Sequence, residues 1–272
     1  MNGKSNISRL LKNNLLLILS LLLILNACSA KKVIVHQPEK STLPAEPTVL
    51  LAGAAEVDIT PSPGYPLFGY SVEADKHADG YWTRLKARAI AFEYFDQALK
   101  KRRRVALVQL DLGAVSALLH RKVAVLLAGA GFDPADLMIA GSHTHAAPGG
   151  FFGAGFYNIF GSGTWGYFPN LVDWLSERIS ICVKDACRDL KPAGISAGSI
   201  MVEGLSRNRS VDAWRLNFCG INGPFPYHEI IPEVFVLRVD HINLSHPGET
   251  TPIAVFVTAP VHATSVGSDS EF

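Results

Sequence analysis

His143-Thr-His145 is the densest concentration of potential chemistry in this chain of 272 residues, and it runs directly into Ala146-Ala-Pro-Gly-Gly150. Neutral imidazoles bind metals and hydrogen-bond equally well. Two of them at i and i+2 can share a metal, or one can hold metal while the other grips a substrate. The pair follows Leu137-Met-Ile-Ala140, an apolar run that predicts a buried strand. In extended backbone, residues i and i+2 face the same side. Both rings would then stand at a strand's carboxyl end, where open α/β sheets place their ligands. Histidines at this spacing also arise by accident in cores and on surfaces, so the pair needs support from elsewhere.

Two further segments offer it. Arg207-Asn-Arg209-Ser210 follows a strand-like run and a glycine, and a guanidinium there could hold a carbonyl or an oxyanion. Pro260-Val-His262-Ala-Thr-Ser265 follows the apolar run Ile253 to Thr258. An arginine after a strand is usually a surface residue and a single histidine usually structural. Three polar clusters at strand ends are a better signal than any one of them.

The elements that must position these groups alternate in kind. Strands are predicted over residues 49–60, 84–95, 105–110, 137–140, 194–202, 233–240 and 253–258. Helical spacing of apolar residues marks 114–128, and a long amphipathic helix is predicted over 169–190, with Pro169 where a missing N–H does no harm. Hairpins mixed with crossovers imply an α/β fold, a mixed β-sheet covered by helices. Between the histidines and the long helix lies Gly149 to Phe168, where glycines alternate with Phe151, Phe152, Phe156, Tyr157, Phe160, Trp165, Tyr167 and Phe168. Such a segment either walls an apolar substrate groove or folds its aromatics into the core.

Composition excludes some classes. A formal charge of +1 and 18% charged residues give no basic surface for nucleic acid. The run Lys100-Lys-Arg-Arg-Arg104 reads as a solvated hairpin turn. Cys182 and Cys187 fall on one predicted helix at a spacing that suits neither a zinc knuckle nor a disulfide, and with Cys219 they read as structural thiols. His36, His77, His120, His228, His241 and His246 receive no role, His120 because it falls on the exposed side of its helix and the others because they fall in loops or the tether.

Residues 1–27 read as an export signal, with Lys4, Arg9 and Lys12 ahead of the aliphatic run Leu15 to Leu25. The run is short for a transmembrane span. Leu25-Asn-Ala-Cys28 resembles a bacterial lipobox, which makes Cys28 the lipidated residue; the alternative is an ordinary signal peptide with a chance cysteine. Residues 28–48, rich in Pro, Lys and Ser, read as a flexible tether. A protein so processed is expected in the bacterial cell envelope, held to a membrane surface by its lipid.

Several segments together resemble the amino-terminal part of the neutral (neutral/alkaline, non-lysosomal) ceramidase family. They are Ala52 to Pro61 with Gly69-Tyr70, Thr83 to Ala89, Gln109 to Gly113, Ser142-His-Thr-His145 with Pro148-Gly-Gly150, and Asn208-Arg-Ser210. They follow the family's order and approximate spacing, from about Leu51 onward. The resemblance implies a zinc-dependent amidase that splits ceramide, or a related N-acyl lipid, into sphingosine and fatty acid. It implies His143 as a zinc ligand, and His262 as the counterpart of the second ligand histidine. His145 and Arg209 then lie beside the metal and hold the substrate's amide and hydroxyl groups. The family often has His-Pro directly after the strand, whereas this chain reads Ala259-Pro-Val-His262.

In that family the other zinc ligands, a glutamate and a tyrosine, lie much farther along, with the rest of the catalytic domain and a small β-sandwich. The resemblance therefore implies that 49–272 is an incomplete catalytic domain, either a piece of a longer product or a shortened relative without activity. Two rival readings stand beside it. One is a non-catalytic lipoprotein that binds lipid on the same fold. The other is an amidohydrolase barrel, which also opens with His-x-His but needs eight strand–helix repeats in about 250 residues.

Overall fold

The computed structural model describes residues 49–70, 77–217, 230–246 and 248–263. The leader, Cys28 and the tether to residue 48 lie outside the described residues, as do Cys219 and His228. The elements run β1 (Leu51–Asp58), β2 (Lys86–Asp96), β3 (Lys101–Leu110), α1 (Ala117–Leu127), β4 (Leu137–Gly141), α2 (Gly155–Ser162), α3 (Pro169–Arg188), β5 (Lys191–Met201), α4 (Val211–Asn217), β6 (Glu233–Ile242) and β7 (Thr250–Thr258). They form the mixed sheet expected, with seven strands in the order β4-β3-β2-β1-β5-β6-β7. Only β3 and β4, joined through α1, run parallel; every other neighbouring pair is antiparallel.

Helix α3 lies along β1 and β2 and packs against α1. Its buried stripe, Leu171, Leu175, Ile179, Cys182, Val183 and Ala186, recurs at three and four residues, as an amphipathic helix requires. Close approach needs small partners, and β2 offers Ala87, Ala89 and Ala91. At Gly53 a Cβ would stand 2.3 Å from the Ala186 carbonyl oxygen, so that crossing admits only glycine. Helix α1 is capped by Ser116, whose hydroxyl accepts from the Leu119 amide at 3.1 Å and donates to the Phe151 carbonyl at 2.8 Å.

A second cluster sits on the opposite side of β2. There Ile90 and Phe92 meet Ala52, Ala193 and Val239, with Leu237, Ile253 and Phe256 packed against them. Between the halves of the sheet the ladder is thin: β1 and β5 pair only at Leu51–Pro192 and Ala52–Lys191. Beyond that join β5 is exposed from Ile195 to Met201.

The basic run is not the solvated turn its composition predicts. The turn spans residues 97–100, and Lys101–Arg104 already belong to β3. The cause is Glu93, buried on β2, whose carboxylate binds Arg102 at 2.7 Å and Arg104 at 2.8 Å. Arg103 pairs with Asp136. A carboxylate taken out of water needs such partners, and this pulls the basic residues into the ladder.

Candidate metal and substrate site

The parallel pair β3–β4 carries the first histidine. Past Gly141 the ladder continues for two residues: the Ser142 amide donates to Leu110 and the His143 amide to Leu112, at 2.8 and 3.1 Å. There the strand ends, because His143 takes the left-handed conformation with φ 61°. Extended backbone is therefore not what brings His143 and His145 together, contrary to expectation. The chain turns at His143, and the two rings still lie with centroids 5.3 Å apart. A side chain other than glycine in this conformation is strained, and such strain gathers at functional sites.

The remaining strand ends supply the rest. His262 follows β7, and its Nε2 lies 3.0 Å from Nε2 of His143. His143 Nδ1 is 2.6 Å from the Gly113 carbonyl oxygen, which can only accept. That bond places the proton on Nδ1 and leaves Nε2, which faces His262, as the unprotonated nitrogen, the tautomer that histidine metal ligands adopt. The ring of His145 is 4.9 Å from that of His262. One ligand atom from each of the three histidines falls within 4.8 Å of the others. Nitrogens bound at about 2.0–2.1 Å in a tetrahedral zinc site stand a little over 3 Å apart, so the pair His143–His262 is spaced closely enough to share an ion.

Electrostatics agrees with neutral rings. Burial, with His262, His143 and Arg209 adding to it, holds the His145 pKa below its ordinary value. Desolvation, then His143 and Arg209, lowers that of His262. Neutral imidazoles are the metal-binding form. Among the described residues, Nε2 of His145 is buried without a hydrogen-bond partner, a costly state that a ligand's polar group would relieve. A cluster of neutral nitrogens around such an atom fits a divalent metal such as zinc with a substrate group beside it.

Arg209 lies between β5 and α4, in an exposed turn where the Asn208 side chain accepts from the Ser210 amide at 2.8 Å. No described bond ties Arg209 to a histidine; its charge acts on them through space. All four residues singled out in the sequence thus reach one neighbourhood. Glu56, Asp58 and Asp111 do not belong to it. Asp58 binds Arg84 at 2.7 Å and the Thr60 amide at 2.8 Å, and Asp111 accepts from the Lys86 amide and Arg88.

Two histidines set aside occupy other places than expected. His120 is half-buried rather than on the open side of α1, with Nε2 3.1 Å from the Leu137 carbonyl oxygen. His241 is in β6 rather than in a loop, with Nδ1 2.9 Å from the carbonyl oxygen of Pro192. Both anchor strands. Cys182 and Cys187 are free thiols on α3, and burial drives Cys182 to a pKa of about 12, an inert thiol.

The aromatic segment divides between its two readings. Phe151 is fully buried and Phe152 partly, whereas Phe156, Tyr157, Phe160 and Trp165 are exposed on and after α2. Sequence reasoning missed α2; the signal was Phe156 and Phe160 at helical spacing, their rings now 4.7 Å apart. It also missed Phe68, Gly69 and Gly113 as the setting of the imidazoles. Beside the histidine loop an open pocket of about 60 Å³ is lined by Pro61, Pro63, Tyr65, Leu67, Tyr81, Trp82, Ala147 and Pro148, among others, without a charged side chain.

Known proteins resemble this arrangement in sequence and in fold. The model for the amino-terminal region of neutral/alkaline non-lysosomal ceramidases matches residues 50–272. The neutral ceramidase of Mycobacterium tuberculosis is 29% identical over 202 residues, covering 74% of this chain and 30% of that protein. Neutral ceramidase 3 of Arabidopsis thaliana is 32% identical over 166 residues, 59% of this chain and 21% of its own length. The crystal structure of neutral ceramidase from Pseudomonas aeruginosa superposes with a TM-score of 0.67 at 26% identity, over 83% of this chain and 34% of that one. A ceramidase complexed with C2 gives the same TM-score at 28% identity. The chain spans about a third or less of the length of these proteins.

Proposed function

The chain belongs to the neutral/alkaline non-lysosomal ceramidase family, and on that premise we propose that it carries the zinc-binding and amide-holding part of an enzyme that hydrolyses ceramide or a related N-acyl lipid. The observation that carries the proposal is the meeting of His143 and His262, Nε2 to Nε2 at 3.0 Å, beside the unpartnered Nε2 of His145.

His143 and His262 would hold the zinc. An ion there supplies Lewis acidity toward an amide carbonyl, the group most resistant to hydrolysis among acyl derivatives. The chain's own residues do the remaining work. The Gly113 carbonyl keeps the His143 proton on Nδ1 and so keeps Nε2 available. His145, buried and neutral, offers its Nε2 to an amide or hydroxyl of the substrate and excludes water from that side. Arg209, always charged, stabilises negative charge developing on the acyl oxygen. The uncharged cavity and the exposed aromatics of α2 give an acyl chain or sphingoid base apolar surface to leave water.

Lipidation at Cys28 and residence at the bacterial cell envelope are part of the same proposal, because they bring the site to a membrane surface where such lipids reside. No described helix is long and apolar enough to cross a membrane.

The test combines metal analysis with product detection on the purified protein. One zinc per chain, lost in His143→Ala, together with sphingosine release from a short-chain ceramide, is the expected result. Ceramide bound without cleavage and without metal would replace the amidase with a lipid-binding lipoprotein.

A further inference from the structure

We propose that Phe68, together with Gly69 and Gly113, is a positioning device that sets the angle and separation of the His143 and His145 rings. The inference rests on the site reading above, since it concerns what holds those imidazoles ready.

Residues 66–69 are clamped to the histidine loop on one side and to α2 on the other. The Phe68 amide donates to Ala147 at 2.9 Å, the Gly149 amide to Pro66 at 2.7 Å, and the Gly69 amide to Gly161 at 2.6 Å. Phe68 is thereby fixed at its backbone. Its ring meets both imidazoles edge-on, with centroids 6.2 Å from each and interplanar angles of 75° and 83°. Behind it the rings of Phe151 and Phe152 stack at 6.3 and 6.0 Å. Edge-to-face contacts are favoured over face-to-face ones, so a ring held from behind favours the edge-on setting of the two in front.

The glycines complete the device. A Cβ on Gly113 would stand 1.9 Å from Cδ1 of Phe68, so the ring lies close against bare backbone. The carbonyl of that same residue accepts the His143 Nδ1 proton at 2.6 Å. Pressure from Phe68 on Gly113 is thus pressure on the acceptor that orients His143. Gly69, at φ +99°, would place a Cβ 2.4 Å from both Cε1 and Nδ1 of His145. Its missing side chain is the seat of the second ring, and Tyr70 closes it with an edge contact at 5.4 Å. Phe68, Gly69 and Gly113 carry no side-chain ligand atom for a metal; they act through the two histidines.

The experiment measures zinc affinity of the full chain by chelator competition, thermal unfolding, and imidazole ¹⁵N and ¹H resonances, for Phe68→Ala, Phe68→Leu and Gly69→Ala. Loss of groups that orient metal-binding histidines weakens metal affinity about 10–100-fold; Phe68→Ala should fall in that range and Phe68→Leu below it. Gly69→Ala should move the His145 resonances while sparing those of His143. A folded Phe68→Ala with unchanged zinc affinity and unchanged imidazole resonances would overturn the proposal. Should Phe68→Ala fail to fold, Phe68→Leu and Gly69→Ala decide by the same readouts. If the parent chain binds no zinc, the metal reading fails by itself. The imidazole resonances of the metal-free variants still decide whether Phe68 sets the rings.

Discussion

Strands β1–β4 and strands β5–β7 belong to one sheet but live in different surroundings. The first group lies under α3, which packs against α1, and the buried residues from Ala52 through Leu137 form most of the core. In the second, Ile195, Ile200, Met201, Val255 and Val257 are exposed. Yet the candidate site takes His143 and His145 from the covered half and Arg209 and His262 from the open one. Stability and chemistry are therefore distributed differently. The covered half decides whether the chain folds, and both halves decide whether the site exists.

Substitutions matched across the two halves test that division. Leu175→Ala empties a fully buried position on α3 and should cost about 2–5 kcal/mol in denaturant unfolding, whereas Ile200→Ala should stay within about 0.5 kcal/mol. Equal losses would mean that the open half is folded against something with the same cooperativity. Replacing Arg102 and Arg104 together by Met leaves the Glu93 carboxylate buried without its cations, and about 3 kcal/mol should be lost.

For the site the comparison should vanish: His143→Ala and His262→Ala, one from each half, should each weaken zinc binding by about 100-fold or more, beyond what loss of an orienting group costs. A loss in only one of them would place the metal in one half alone. The smallest effect concerns Asp58. Burial opposes its ionisation, but Arg84 and the Thr60 amide and hydroxyl outweigh that and hold its pKa at about 2, against 3.8 ordinarily. Depressed in the folded state, it stabilises the fold above about pH 3.8 and loses that contribution as pH falls through about 2. Because Arg84 is half exposed, about 1 kcal/mol is expected. Asp58→Asn should flatten the acid limb of the unfolding curve by that amount.

Much of this was legible in the residues. The strand ends carrying His143 and His262 were marked by apolar runs, and the long helix by its period. What could not be read were effects of tertiary partners. Lys101–Arg104 is polar enough for a turn, and only the buried Glu93 across the ladder makes it a strand. His120 falls on the polar side of its helix by period, yet the Leu137 carbonyl draws it inward. Helix α2 hid among glycines that are poor helix formers; it stands because Asn158 bonds both the amide and carbonyl of Phe152 and Ser162 bonds the Asn158 carbonyl. The left-handed turn at His143 carried too weak a signal, since histidine enters that region more often than most side chains but still uncommonly. The site was found in spite of that turn, because residue types survive a wrong assumption about backbone.

The two-residue join between β1 and β5 gives a bound ion a mechanical task. Among the described residues the ladder joins the halves at Leu51–Pro192 and Ala52–Lys191, with the Ala193 amide donating to Leu50 at 3.0 Å, and His143 and His262 come one from each half. A ligand gripping both acts as a rivet, and its binding free energy is added to the joined arrangement alone. Calorimetry should then find the halves melting closer together when the rivet is in place, and farther apart when a chelator draws it out.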